Sequence, residues 1–208
     1  MSGPFGSQQW MYNASSGFYP YEINNSLKFE DGDSSYLSRT PASAGNQKTW
    51  TYSAWVKRGN LSNRQTLWSS RDGTSGHSIE LSSDKIDVFA TGSGASIRLI
   101  SSQVFRDTSS WYHIVFKLDT TQSTSGDRFK IYVNGDLITS FSTETYPSLN
   151  SDLEWNNTKE HDIGARSDNN FYFDGYLAEV NFIDGTGLDA SSFGETKEGI
   201  WIPKQYSG

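Results

Sequence analysis

The sequence predicts an all-β chain, an antiparallel β-sandwich preceded by an extended N-terminal arm. Apolar and polar residues alternate with period two from Ser26 onward, the repeat of a strand that lays one face on a core. No stretch of ten or more residues carries the repeat of an amphipathic helix. Aromatic residues make up 14% of the 208-residue chain, and 19 glycines, with many Ser, Asn and Asp, supply turn chemistry for many short strands.

Along the chain, residues 1–25 show no periodicity and read as an arm. Its Phe5, Trp10, Tyr12, Phe18, Tyr19 and Tyr21 are too apolar for a solvated tail, so it should lie on the domain itself or on a neighbouring subunit. The sandwich is expected over 26–189, with 190–208 as a tail packed on it. SLKF (26–29) and YLSRT (36–40) flank the turn cluster EDGDSS. TWTYSAWVKRG (49–59) is the strongest strand, with Trp50, Tyr52, Ala54 and Val56 on one face and Thr51, Ser53, Trp55 and Lys57 on the other. RQTLWSS follows, then the turn RDGTSG. HSIELSS and KIDVFAT place Ile79, Leu81, Ile86 and Val88 on one side, and GSG (92–94) turns the chain into SIRLISS. WYHIVFKLD aligns Tyr112, Ile114, Phe116 and Leu118. In RFKIYVNGDLITSF, Asn134-Gly135 between two alternating runs predicts a two-residue hairpin. HDIGAR and FYFDGYLAEVNFID supply the last two strands, and a short helical turn is expected near Ala190–Phe193. About a dozen short strands that alternate aromatic with polar residues favour a sandwich with one buried and one wet face per sheet.

Charge and composition exclude several functions. A net charge of −7 lacks the dense cationic footprint that nucleic acid requires. With no cysteine there is no disulfide, thiolate metal site or thiol redox chemistry, and the absence leans towards a microbial or phage protein. No segment is apolar enough to span a membrane, and the first residues lack the basic start and apolar run of a secretion signal. Release by lysis, as part of a virion, fits an extracellular role without that signal.

The segment WYHIVFKLDTTQSTSGDRFKIYVNGDLI resembles the laminin G-like and pentraxin-like branch of the concanavalin A-like lectin/glucanase superfamily, through Trp111, His113, Tyr132, Val133, Asn134 and Gly135. TWTYSAWVKRG resembles that family's early strand, and HDIGAR with FDGYLAEV its closing pair. Over 26–208 the phrasing is similar to marine phage structural proteins that carry such a jelly roll. The resemblance implies a concanavalin A-like jelly roll in a non-enzymatic virion surface protein, a capsid decoration, knob or fibre component. It further implies virion proteins as partners through the arm, homo-oligomers, and adhesion to a host-surface polysaccharide. Glycan adhesion as the primary role, or glycoside hydrolysis, are the alternatives.

Catalysis is not expected. Glucanases of this superfamily place paired acids on one strand to flank a glycosidic bond, and neither Glu154 nor Glu179 has such a partner. His77, His113 and His161 share no metal-ligand spacing, and His113 reads as a packing or hydrogen-bonding residue. Calcium is the cofactor that the resemblance allows, through oxygens of Asp31, Asp33, Asp72, Asp168, Asn169, Asn170 and Asp174, with Asp168, Asn169 and Asp174 the preferred set. For sugar, Trp155 is the chosen stacking residue, because its neighbours Asp152, Asn156 and Asn157 are polar, and Asn170 adds a second rim amide.

Overall fold

Two sheets form because nearly every segment of the chain presents a side-chain repeat of two. The computed structural model describes residues 17–71, 76–92, 96–166 and 168–208. Much of the predicted arm, with Phe5, Trp10 and Tyr12, lies outside them, as do Asp72 and parts of the turns at 71–76 and 92–94.

In chain order the strands are β1 (Leu27–Phe29), β2 (Leu37–Arg39), β3 (Thr49–Arg58), β4 (Gln65–Arg71), β5 (Gly76–Ser82), β6 (Lys85–Thr91), β7 (Ile97–Ser101) and β8 (Tyr112–Asp119). There follow β9 (Phe129–Val133), β10 (Asp136–Leu137), β11 (Phe141–Thr145), β12 (Glu160–Ile163), β13 (Gly175–Asp184), β14 (Gly194–Lys197) and β15 (Ile200–Pro203). One sheet has the order β1-β13-β3-β8-β9-β10, and a second has the order β11-β7-β6-β5-β4-β12-β2. Helical structure among the described residues is confined to single 3-10 turns, one of them at Ala190–Ser192. The predicted hairpin forms at Asn134-Gly135, where φ values of 50° and 86° give the doubly left-handed turn that matches strand twist.

The core lies between the two sheets and is aromatic. Trp50, Tyr52, Ala54 and Val56 of β3 meet Ile114, Phe116 and Leu118 of β8, and opposite them lie Ile79, Leu81, Ile86, Val88 and Leu99. Tyr52 stacks on Trp68 at 5.1 Å, and Trp50 meets Trp68 edge-on at 5.2 Å.

The expectation of a wet outer face fails on β3 and β8. Thr51, Ser53, Trp55, His113 and Val115 point away from this core and are nevertheless buried. The third, two-stranded sheet β14-β15 explains it. That hairpin and the chain before it bring Leu188, Ala190, Phe193, Trp201 and Tyr206 onto Val115, Tyr132 and Ile183 in a second apolar cluster. His113 is enclosed there between Trp55, 4.9 Å away, and Trp201, 5.9 Å away. Trp201 Nε1–H donates to His113 Nδ1 at 3.0 Å, which leaves Nε2 to carry the ring proton towards Ser53 Oγ at 2.9 Å.

Polar side chains are buried on the second sheet too. Glu80 of β5 lies opposite Asp87 of β6, both with their backs to the core and both buried. Arg64 donates to Glu80, and Arg98 to Asp87 at 2.7 Å.

Candidate functional site

Most of the residues chosen from sequence for sugar binding do not converge. Trp155 is fully enclosed in the core, with Trp50 at 5.4 Å and Trp68 at 5.7 Å, and offers no face to a ligand. Its polar neighbours misled because the chain dips into the core only over Leu153–Trp155 and is exposed or half-buried on either side. Asp152 is exposed beside Lys48 at 3.9 Å, and Asn157 is spent on the Lys159 N–H at 2.7 Å. Asn170 is exposed on another loop, donating to the Asp168 carbonyl at 3.2 Å. Asn156 alone of this set lines a cleft.

The metal candidates regroup. Asp168 turns both carboxylate oxygens to Arg166, at 2.8 and 2.6 Å, and Asn169 is an exposed turn residue with φ of 59°. Asp174 stands instead with Glu30 and Asp31, whose ligand atoms all come within 4.8 Å. Burial, and then the Asp31 and Glu30 charges, hold the Asp174 carboxyl above its ordinary range. Crowded carboxylate oxygens of this kind suit a hard cation such as calcium. Asp33 is not in that group.

Two clefts, each of about 480 Å³, fall within the range of small-ligand sites. The first lies on the outer face of the six-stranded sheet. β3 supplies Trp55, β13 supplies Ala178, the residue before β8 supplies Trp111, and β15 supplies Trp201. Tyr19, Tyr21, Glu22, Asn24 and Asn25 close it from the N-terminal side. Two features fix that segment: Tyr21 Oη donates to Glu179 Oε1 at 2.8 Å, and Lys197 Nζ donates to the Phe18 carbonyl at 2.7 Å. Glu179 can reach Tyr21 because it sits in a β-bulge of β13 with φ of 47°. Glu179 thereby anchors the segment that closes the cleft. The cleft combines aromatic faces with amide and carboxylate groups, the pairing that stacks and hydrogen-bonds a sugar ring.

The second cleft opens between the sheets. β2 contributes Leu37 and Arg39, β12 contributes His161 and Ile163, and β13 contributes Phe182 and Asp184, with Trp68, Gly45 and Asn156 around them. Burial, helped by the Arg39 charge and opposed by the Lys159 carbonyl, leaves the His161 imidazole below its ordinary value.

Sequence reasoning missed Trp55, Trp201 and Arg39. Trp111 stood in the quoted WYH motif, and Trp55 was already assigned to the face away from the core. That Trp on a nominally wet face was the available signal for a ligand surface.

A family model described as the concanavalin A-like lectin/glucanases superfamily matches residues 31–188. No protein of curated function matches the sequence. Among solved structures, mouse laminin alpha1 chain domains LG4-5 superpose with a TM-score of 0.55 at 10% identity, covering 82% of this chain and 44% of that one. The Ruminococcus gnavus IT-sialidase CBM40 bound to alpha2,3 sialyllactose gives a TM-score of 0.50 at 12% identity over 82% of this chain and 96% of that one. The enzymatically active domain of bacteriophage CBA120 tailspike protein 2 gives 0.56 at 14% identity, over 82% of this chain and 26% of that one. At such identities the likeness is one of fold.

Proposed function

Because the chain belongs to the concanavalin A-like lectin/glucanase superfamily, we propose that it is a non-catalytic, glycan-binding domain displayed on the surface of a virion. The observation that carries this reading is the first cleft, where Trp55, Trp111 and Trp201 face Asn24, Asn25 and Glu22. A pyranose stacks its C–H face on indole while amides and carboxylates take its hydroxyls. The CBM40 neighbour, bound to alpha2,3 sialyllactose, and the phage tailspike neighbour support the glycan and virion parts by fold. So does the similarity of the long sequence segments to marine phage structural proteins.

The non-catalytic part is supported by the state of the carboxylates. Glu80 and Asp87 are opposed on adjacent strands, but each is engaged by an arginine and buried in the sheet, away from both clefts. A pair so held does not flank a glycosidic bond.

The test is binding of the purified chain to a microbial glycan array, with calcium and with chelator. Saturable binding that Trp111→Ala weakens by about five- to thirtyfold is expected, since stacking of a sugar on one aromatic contributes on the order of 1–2 kcal/mol. Loss in chelator would show a required metal, and its further loss with Asp174→Asn would place it at Glu30, Asp31 and Asp174. A blank array under both conditions would remove the glycan role and leave the particle itself as partner. Detection of the chain in gradient-purified particles checks the virion part, and its confinement to the particle-free lysate would overturn it.

A further inference from the structure

The second cleft differs from the first in carrying a free cation. Register places Arg39 of β2 opposite His161 of β12, and Leu37 opposite Ile163. The His161 ring lies over Trp68 at 6.0 Å and 28°, so this row of side chains faces into the gap between the sheets. The gap stays open because β1 pairs with β13 only over Gly175–Leu177, whereas β3 pairs with β13 on both sides of the bulge, so beyond it β1 no longer covers the other edge of β13. Phe182, 37% exposed, and Leu37, 48% exposed, consequently present uncovered apolar surface inside a cleft.

The polar groups of the cleft are not equivalent. Asp184 Oδ1 accepts from the Asn46 N–H at 2.8 Å and from Asn156 Nδ2 at 2.6 Å. Asn156 Nδ2 also reaches the Asn46 carbonyl at 3.1 Å. Gly45 permits this closure, since a Cβ there would fall 2.4 Å from Asn156 Nδ2 and 2.5 Å from Asp184 Oδ2. The acid of the cleft is thus tied into the wall by N–H donors. The Arg39 guanidinium, in contrast, is exposed and has neither a hydrogen bond nor an ion pair among the described residues. An unpaired guanidinium that shares a cleft with an exposed aromatic ring is matched by a ligand with an apolar face and a carboxylate in its plane, which the guanidinium grips through two parallel N–H···O bonds.

Resting on the glycan-binding reading above, we infer that this cleft is a second site and that it takes a sugar residue bearing a carboxylate. The carboxylate pairs with Arg39, the ring packs on Phe182, and Asn156 Oδ1 and Asp184 Oδ2 offer acceptors to hydroxyls, the two Asn156 N–H groups being held by Asp184 Oδ1 and the Asn46 carbonyl. Uronic and sialic acids share this chemistry. On a chain of net charge −7, one local cation selects an isolated acidic residue over a dense polyanion.

The experiment is calorimetric titration of the whole chain with trigalacturonate beside its methyl ester, and with alpha2,3-sialyllactose beside lactose. A charged probe is expected to bind about tenfold or more tightly than its neutral counterpart, the scale of one charge-assisted contact. Arg39→Gln should abolish that preference, whereas Trp111→Ala should leave it intact. Arg39 in the unaltered chain should also be shielded by the charged probe from phenylglyoxal, read by mass spectrometry, which needs no variant to fold. Equal binding of charged and neutral forms of both probes, or a preference that survives Arg39→Gln, overturns the inference. If the array signal falls with Trp111→Ala yet no charge preference exists, this inference alone fails. If nothing binds on the array or in the titrations, both readings fail.

Discussion

Four aromatic rings pack on Trp155: His77 at 4.9 Å, Trp50 at 5.4 Å, Trp68 at 5.7 Å and Phe129 at 6.3 Å. Replacing it with alanine would leave a large cavity, so Trp155→Ala is expected to lower stability by about 3–5 kcal/mol in denaturant titration. Glycan affinity per folded molecule should not change, the reverse of Trp111→Ala. His113 makes a prediction about pH. Burial between two tryptophans holds its imidazole at about 4, against 6.5 when free. The unfolded chain therefore takes up its proton near 6.5, while the folded chain resists until about 4. Stability must fall as pH drops through that window, by roughly 3 kcal/mol for this group alone. His161, also lowered, acts in the same sense. Denaturation midpoints measured across the window check the slope, and His113→Gln should flatten it.

The elements around His113 depend on one another. Trp201 of β15 covers the His113 ring, and its own ring lies where a Cβ on Gly135 or Gly194 would sit, at 2.5 Å and 2.4 Å. The β9–β10 turn and the β14–β15 hairpin therefore meet on one indole. Gly135→Ala has both a left-handed φ of 86° and this close approach against it. It should cost at least about 1 kcal/mol, read as a lowered melting temperature. Removing 190–208 would uncover Val115, His113 and Trp55 on the outer sheet face. The shortened chain is expected to bind a hydrophobic dye, and its His113 should titrate nearer to 6.5 by NMR.

At the scale of the whole molecule, loops are held by buried charge as well as by the core. Arg58 Nη1 donates to Asp84 Oδ1 at 2.9 Å and to the Phe105 carbonyl at 2.6 Å, while Arg106 Nε donates to Asp84 Oδ2 at 2.9 Å. Burial would raise the Asp84 carboxyl, but the Ser62 N–H, Arg106 and Arg58 together hold it below its ordinary value. Arg58→Ala leaves that carboxylate buried without its inner partner and should cost about 3–5 kcal/mol. The surface, at net charge −7, should leave duplex DNA unshifted in an electrophoretic assay at physiological salt. The sequence by itself determined most of the strands up to β13, the Asn134-Gly135 hairpin, the sandwich class and the core faces of β3 and β8, but read 190–208 as a tail where the chain forms the β14–β15 hairpin. Side-chain period, turn conformation and composition are local properties that any window of the chain displays. Only the tertiary structure decided what lies over the opposite faces. A strand's repeat separates its two sides without stating what covers each, so Trp155 read as a rim residue and Trp55 as a solvent-facing one. The clefts depend on distant segments brought together, Arg39 with Phe182 and Trp111 with Trp201, by the packing of one sheet on another, which no local pattern encodes.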